Sequence, residues 1–174
     1  RWDVREAAVA AMPKLAEKGD ERVIHVVIAR LDDPHWEVRW AAVSALPQLV
    51  AKGHERAAVA VAARLEDTNR AVRQTTVATL PRLVELGNKR AIAAVITRVQ
   101  HTSGVVREAA LRTLPEVAEK GDIRAIDAAA ASLEDADAGV RDAAARALPR
   151  LAEQGNGRAI EAAAARLEHT LEEV

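Results

Sequence analysis

The feature that most constrains this chain is a repeat of 34 residues. The pair Val-Arg occurs at Val4-Arg5, Val38-Arg39, Val72-Arg73, Val106-Arg107 and Val140-Arg141. Pro13, Pro47, Pro81, Pro115 and Pro149 keep the same spacing, as do Gly19, Gly53, Gly87, Gly121 and Gly155, and Arg22, Arg56, Arg90, Arg124 and Arg158. A period of this length marks a chain of small units, none able to bury its own apolar face, that must stack on one another. The units run over about 1–34, 35–68, 69–102, 103–136 and 137–170, with 171–174 entering a further repeat, and no insertion interrupts them. They are expected to form a single domain.

Each unit reads as two helices. In the second, Val38, Ala42, Ala45 and Leu49 recur at three- and four-residue steps and make one apolar stripe. A second stripe follows at Ala58, Val61, Ala62 and Leu65. Gly53 between them is expected to terminate the first helix, because glycine tolerates a left-handed backbone. Asp20, Asn88, Asp122 and Asn156 follow the glycines and can cap the second helix, whereas His54 is a poorer cap. The prolines fall inside the first helices, where a missing amide and a steric clash are expected to bend or split them.

These two-helix units, with a proline-bent first helix, a Val-Arg pair and an Ala-rich stripe, resemble HEAT-like repeats. The run Val38-Arg39-Trp40-Ala41-Ala42-Val43-Ser44-Ala45-Leu46-Pro47 is similar to the short repeats of bacterial and algal members. The resemblance covers the whole chain. It implies an all-α, right-handed α-solenoid with second helices on the concave side, and partner binding as the usual role. A tetratricopeptide array shares the period, but its Trp, Tyr and Phe signature positions have no counterparts here.

Composition agrees with thin interfaces between units. Hydrophobic residues make up 49%, yet there is no Phe, Tyr or Cys, so disulfide and thiol chemistry are excluded. Second helices thin towards the end, from Val27-Ile28 and Val95-Ile96 to Ala129-Ala130 and Ala163-Ala164, so the last two units are expected to open first. With 25 basic and 26 acidic residues, the net charge of −1 argues against a globally basic nucleic-acid binder. No apolar run approaches a bilayer span, and the charged start shows no signal-peptide pattern, so an intracellular, cytoplasmic location is the expectation.

Catalytic patterns are missing. None of His25, His35, His54, His101 and His169 forms a metal-binding helix pair. One relative of this architecture binds iron through repeated His-Glu pairs, but His54-Glu55 stands alone here. Ser44, Ser103 and Ser132 lack a nucleophile elbow, and no Gly-rich phosphate loop exists. The third unit carries Arg70, Arg73, Arg82, Lys89, Arg90 and Arg98. That patch suits phosphate, and some HEAT-like proteins bind DNA, but no aromatic lies near it to stack a base.

The expectation is therefore a non-enzymatic scaffold with no cofactor and no metal, holding a protein or peptide partner on its second helices. The partner row is His25, Val59, Ala93, Asp127 and Glu161, with neighbours such as Thr97. Trp40 replaces polar residues off the apolar stripe, as an exposed contact or a wedge between units, while Trp2 and Trp36 share one phase over the joints. The alternative is an engineered or excised structural array without a ligand, which could stack head to tail with itself. The two arginine ladders read as solvated or inter-unit ion pairs.

Overall fold

The computed structural model, which describes residues 1–169, folds every unit as two helices. The first helices are α1 (Trp2–Leu15), α3 (Trp36–Leu49), α5 (Arg70–Leu83), α7 (Gly104–Val117) and α9 (Ala138–Leu151), each 14 residues long. The second helices are α2 (Glu21–Ala29), α4 (Glu55–Ala62), α6 (Lys89–Val99), α8 (Ile123–Ala131) and α10 (Gly157–His169). Short 3-10 turns extend α2, α4 and α8, at Arg30–Asp32, Ala63–Glu66 and Ser132–Glu134. No strand occurs among the described residues. The segment expected to enter a further repeat, Leu171–Val174, lies outside them.

The chain gathers into two compact units, Arg1–Glu85 and Leu86–Val174. In the first, α3 packs between α1 and α5, and α2 and α4 form a second layer against α3 and α5. In the second, α7 packs on α9, with α6 and α8 against them and α10 against α8. Layers of two-helix repeats stacked in this way are the construction of an α-solenoid, so the fold class is all-α.

The stripes read from sequence are the core. Val38, Ala42, Ala45 and Leu49 of α3 are buried, and so are Ala58, Val61, Ala62 and Leu65 of the next helix and turn. Burying a Leu or Val side chain contributes about 1.5–3 kcal/mol. The first repeat shows what stacking does. Val4 and Leu15 hold the register of Val38 and Leu49, but α1 has a neighbour on one side only. They are 59% and 79% exposed, against 0% and 1%.

Two expectations about helix ends need correction. The prolines do not split the first helices. Pro13 stands in the last turn of α1, and the helical pattern continues past it, with the Ala16 N–H donating to the Met12 carbonyl. So near the end, proline removes a single bond, to the carbonyl four residues back, and the remaining turn tolerates it. The glycines do not end the helices either. Helix α3 ends at Leu49, and Val50 is already extended (φ −108°, ψ 153°). Gly53 comes later, at φ 89°, as the third residue of a tight turn closed by the His54 N–H on the Ala51 carbonyl. That left-handed position favours glycine.

The turn glycine also joins repeats. The Gly19 amide donates to the Leu49 carbonyl at 2.7 Å, and Gly53 does the same to Leu83 at 2.8 Å. In the second unit Gly87 meets Val117 at 2.9 Å and Gly121 meets Leu151 at 2.8 Å. Each bond satisfies a carbonyl at a helix C-terminus, where no intrahelical donor remains.

Candidate functional site

Second helices begin at well-formed caps. Asp20 accepts from the Arg22 and Val23 amides, Asn88 from Arg90 and Ala91, and Asp122 from Arg124 and Ala125. His54 caps as well, its Nδ1 accepting the Ala57 N–H at 3.2 Å. It takes one amide where Asp20 takes two, and its Nε2 lies 3.3 Å from Glu21 Oε1. Beyond the caps of α2, α4, α6 and α8, the apolar stripe faces inward and the predicted row faces out.

The row residues His25, Val59, Ala93, Thr97, Asp127 and Glu161 are all exposed. In the first unit, Arg56 Nη2 donates to His25 Nδ1 at 2.6 Å. In the second, Arg158 Nη1 lies 2.8 and 2.7 Å from the two Asp127 oxygens. The second arginine ladder thus reaches back from one repeat to the row residue of the repeat before it. Arg124, whose counterpart in the row is Ala93, turns instead to its own cap, Asp122. The Thr97 hydroxyl donates to the Ala93 carbonyl at 3.0 Å. Trp40 is not part of this row. It lies on a first helix, 40% exposed, with Trp2 and Trp36 exposed to the same extent. Trp2 stacks on His35 of the following repeat, ring centres 6.2 Å apart and planes 16° from parallel.

The first arginine ladder is a set of clamps that sequence reading placed only loosely. Arg39 Nε and Nη2 hold the two Asp67 oxygens at 2.7 and 2.8 Å, while its Nη1 donates to the carbonyls of Asp33 and Pro34. Arg5 grips Asp33 in the same two-point way, and Arg107 grips Asp135. Every pair spans 28 residues, from one repeat's first helix to the turn that ends its second. The Asp33 carboxyl is lowered to about 2, chiefly by Arg5, with burial opposing and the His35 amide assisting. Burial would raise Asp67, but Arg39 and the Asn69 amide outweigh it and hold it low. Asp135 is lowered mainly by Arg107. Carboxylates locked ionised by arginine are the opposite of a general acid poised near neutral pH. At the same register His101 replaces aspartate, its Nδ1 accepting the Ser103 amide at 3.0 Å.

The basic residues of the third repeat divide between the two compact units. Arg70, Arg73 and Arg82 belong to the first compact unit, and Lys89, Arg90 and Arg98 to the second. Arg73 Nη1 is taken up by the Asp67 and Thr68 carbonyls, and Arg98 Nη1 by the Ala94 carbonyl. Among the described residues no cluster of three or more His, Asp or Glu could hold a metal, and no helix is long and apolar enough to cross a membrane.

Paired helices in register, Arg–Asp clamps that close each repeat, glycine bonds between repeats and an exposed second-helix row define an α-helical repeat protein. The family model for HEAT repeats matches residues 1–80 and again 58–149, and the chain belongs to the HEAT-repeat family. No curated protein matches it. Among solved structures it is similar to a designed armadillo repeat protein in complex with the peptide (KR)4, at 17% identity and a TM-score of 0.48. That match covers 74% of this chain and 64% of the other. It is also similar to an engineered protein, at 20% identity and a TM-score of 0.48, covering 86% of this chain and 70% of that one.

Proposed function

We propose that this chain is a non-enzymatic scaffold, its five repeats forming one array, that holds a protein or peptide partner on the exposed second-helix row. The observation that carries this reading is a contrast within the second helices. On the first four second helices the buried stripe stays aliphatic, with Ile24 and Val27, Ala58 and Val61, Ile92 and Val95, and Ile126 and Ala129, while the exposed row runs from His25 and Val59 to Ala93, Asp127 and, on the fifth, Glu161. A constant core beneath a varied surface suits recognition, since the surface changes without cost to the stack. Substituting His25, Val59, Asp127 and Glu161 together should abolish partner capture. Substituting Glu108 and Arg112 on the first helices should not. The reverse outcome overturns the reading.

A second reading is a structural array with no ligand, stacking end on end. It is favoured by the exposed apolar face of α1, where Val4 and Leu15 stand in the register of buried residues. Sedimentation at rising concentration tests it, and a strict monomer throughout removes it.

A further inference from the structure

The groove between α3 and α5 departs from the pattern of the first helices. It has a volume of about 510 Å³ and is lined by Trp40, Ser44, Gln74, Thr75, Thr79 and Arg82, among others. The groove between α7 and α9 shows the alternative. There Arg112 pairs with Glu108, Arg146 with Asp142, and Arg150 with Glu116. Two repeat periods earlier, Trp40 stands for Glu108, Ser44 for Arg112, Gln74 for Asp142, Ala78 for Arg146 and Gln48 for Glu116. Every acid is gone, and only the last arginine survives, as Arg82. Among the described residues no carboxylate pairs with Arg82. The surface loses its self-neutralising charges and gains an exposed indole, two amides and a lone cation.

We infer that this groove is a docking site for an acidic peptide segment in extended conformation, laying an apolar side chain against Trp40 and a carboxylate against Arg82. Charge complementarity selects the carboxylate, because Arg82 is the one formal charge lining the groove. A nucleic-acid strand would call for a row of cations to neutralise successive phosphates. Gln74 shares the register of Trp40, and eight residues of helix separate it from Arg82, about 12 Å at 1.5 Å per residue. An extended peptide covers about 13 Å in four residues and returns side chains to the same face at every second one. The two anchors therefore sit four residues apart in the partner. Trp and Arg are the residue types that most often dominate such contacts.

The test is selection of displayed random peptides of about twelve residues on the full chain, followed by binding of the enriched sequences as synthetic peptides. Enrichment of Asp or Glu four residues from Leu, Ile or an aromatic residue is expected. Trp40→Ala should weaken those peptides about thirtyfold, as loss of a central aromatic anchor does. Arg82→Gln should weaken them about three- to fivefold, as for an exposed ion pair. Arg82→Glu should reject the acidic peptide and accept its lysine counterpart, a swap that a fold defect could not produce. His25→Ala should leave binding unchanged, which separates this site from the second-helix row. The proposal is overturned if no peptide is enriched, if the enriched peptides are basic or uncharged, or if the charge swap restores nothing. It is also overturned if a single-stranded oligonucleotide or a second copy of the chain takes the groove in preference.

Discussion

Replacing Arg39 by alanine should be among the most damaging substitutions of a charged residue in this protein. The Asp67 side chain is 2% exposed and that of Arg39 12%. Removing the guanidinium strips two charge-assisted bonds from a buried carboxylate, leaving it the Asn69 amide at 2.9 Å, and takes a donor from the Asp33 and Pro34 carbonyls. Orphaning one member of a buried pair costs about 3–5 kcal/mol. Water entering the space vacated by the side chain relieves part of that, so a loss of about 3 kcal/mol is expected. Arg73→Ala is the internal control. Arg73 donates to the same kind of turn carbonyls, at Asp67 and Thr68, but pairs with no carboxylate among the described residues. Its loss should cost about 1 kcal/mol. Urea unfolding of the full chain at neutral pH measures both. A double-mutant cycle of Arg39→Ala with Asp67→Ala should return a coupling of about 2 kcal/mol that survives high salt. Equal costs for the two arginines, or a coupling below about 0.5 kcal/mol, would falsify the view that a buried clamp locks the two helices of a repeat together.

Three further outcomes are expected. Gly53→Ala should cost about 1 kcal/mol, the penalty of a left-handed residue alone, because a Cβ there meets only Glu85 Cγ at an ordinary 3.7 Å; an unchanged urea midpoint would refute this. Asp33 titrates lower in the folded chain than when unfolded, so its contribution is present above about pH 4. It should fade as pH falls towards about 2, the value set mainly by Arg5. Asp33→Asn should flatten that acid limb, and parallel limbs would refute it. Within the second unit, α8 buries Ala125, Ile126 and Ala129, whereas α6 buries Ala91, Ile92, Val95 and Val99. Amides of α8 should exchange about tenfold faster, the effect of roughly two buried methylenes less the gain in alanine helix propensity. Uniform protection would show that the thinner stripe does not matter.

Much of the fold was legible because it depends on spacing. The stripe Val38, Ala42, Ala45, Leu49 could be placed on one helix face from its steps alone, and the caps Asp20, Asn88 and Asp122 from residue type and position. The glycines were misjudged because helix termination and a left-handed turn leave the same residue in the sequence. Only the hydrogen bonds show the helix ending at Leu49, four residues before Gly53. The clamps were half visible. The ladder of Arg5, Arg39 and Arg107 stood out, but its aspartates lie 28 residues on, a spacing that follows from how the two helices of one repeat pack rather than from any local period. The α3–α5 groove was hidden for a related reason. Trp40 was conspicuous as an outlier, whereas its meaning depends on Gln48, Gln74 and Arg82, whose unpaired state appears only once the facing helices are set side by side.

The turn bond from glycine amide to the next repeat's helix end has a consequence for how such a chain can change. Its donor and acceptor are both backbone, so most side-chain substitutions leave them in place as long as the turn keeps its glycine. A repeat duplicated, deleted or exchanged as a block carries one donor at its turn and one acceptor at its first helix, each in the right phase. The joint is thus indifferent to the surface chemistry that the repeat brings. The Asp–Arg clamp, by contrast, needs two specific side chains, and the histidine at position 101 shows it can lapse at a given register. The backbone joint supplies a common coupling through which repeats of unlike surface can be shuffled.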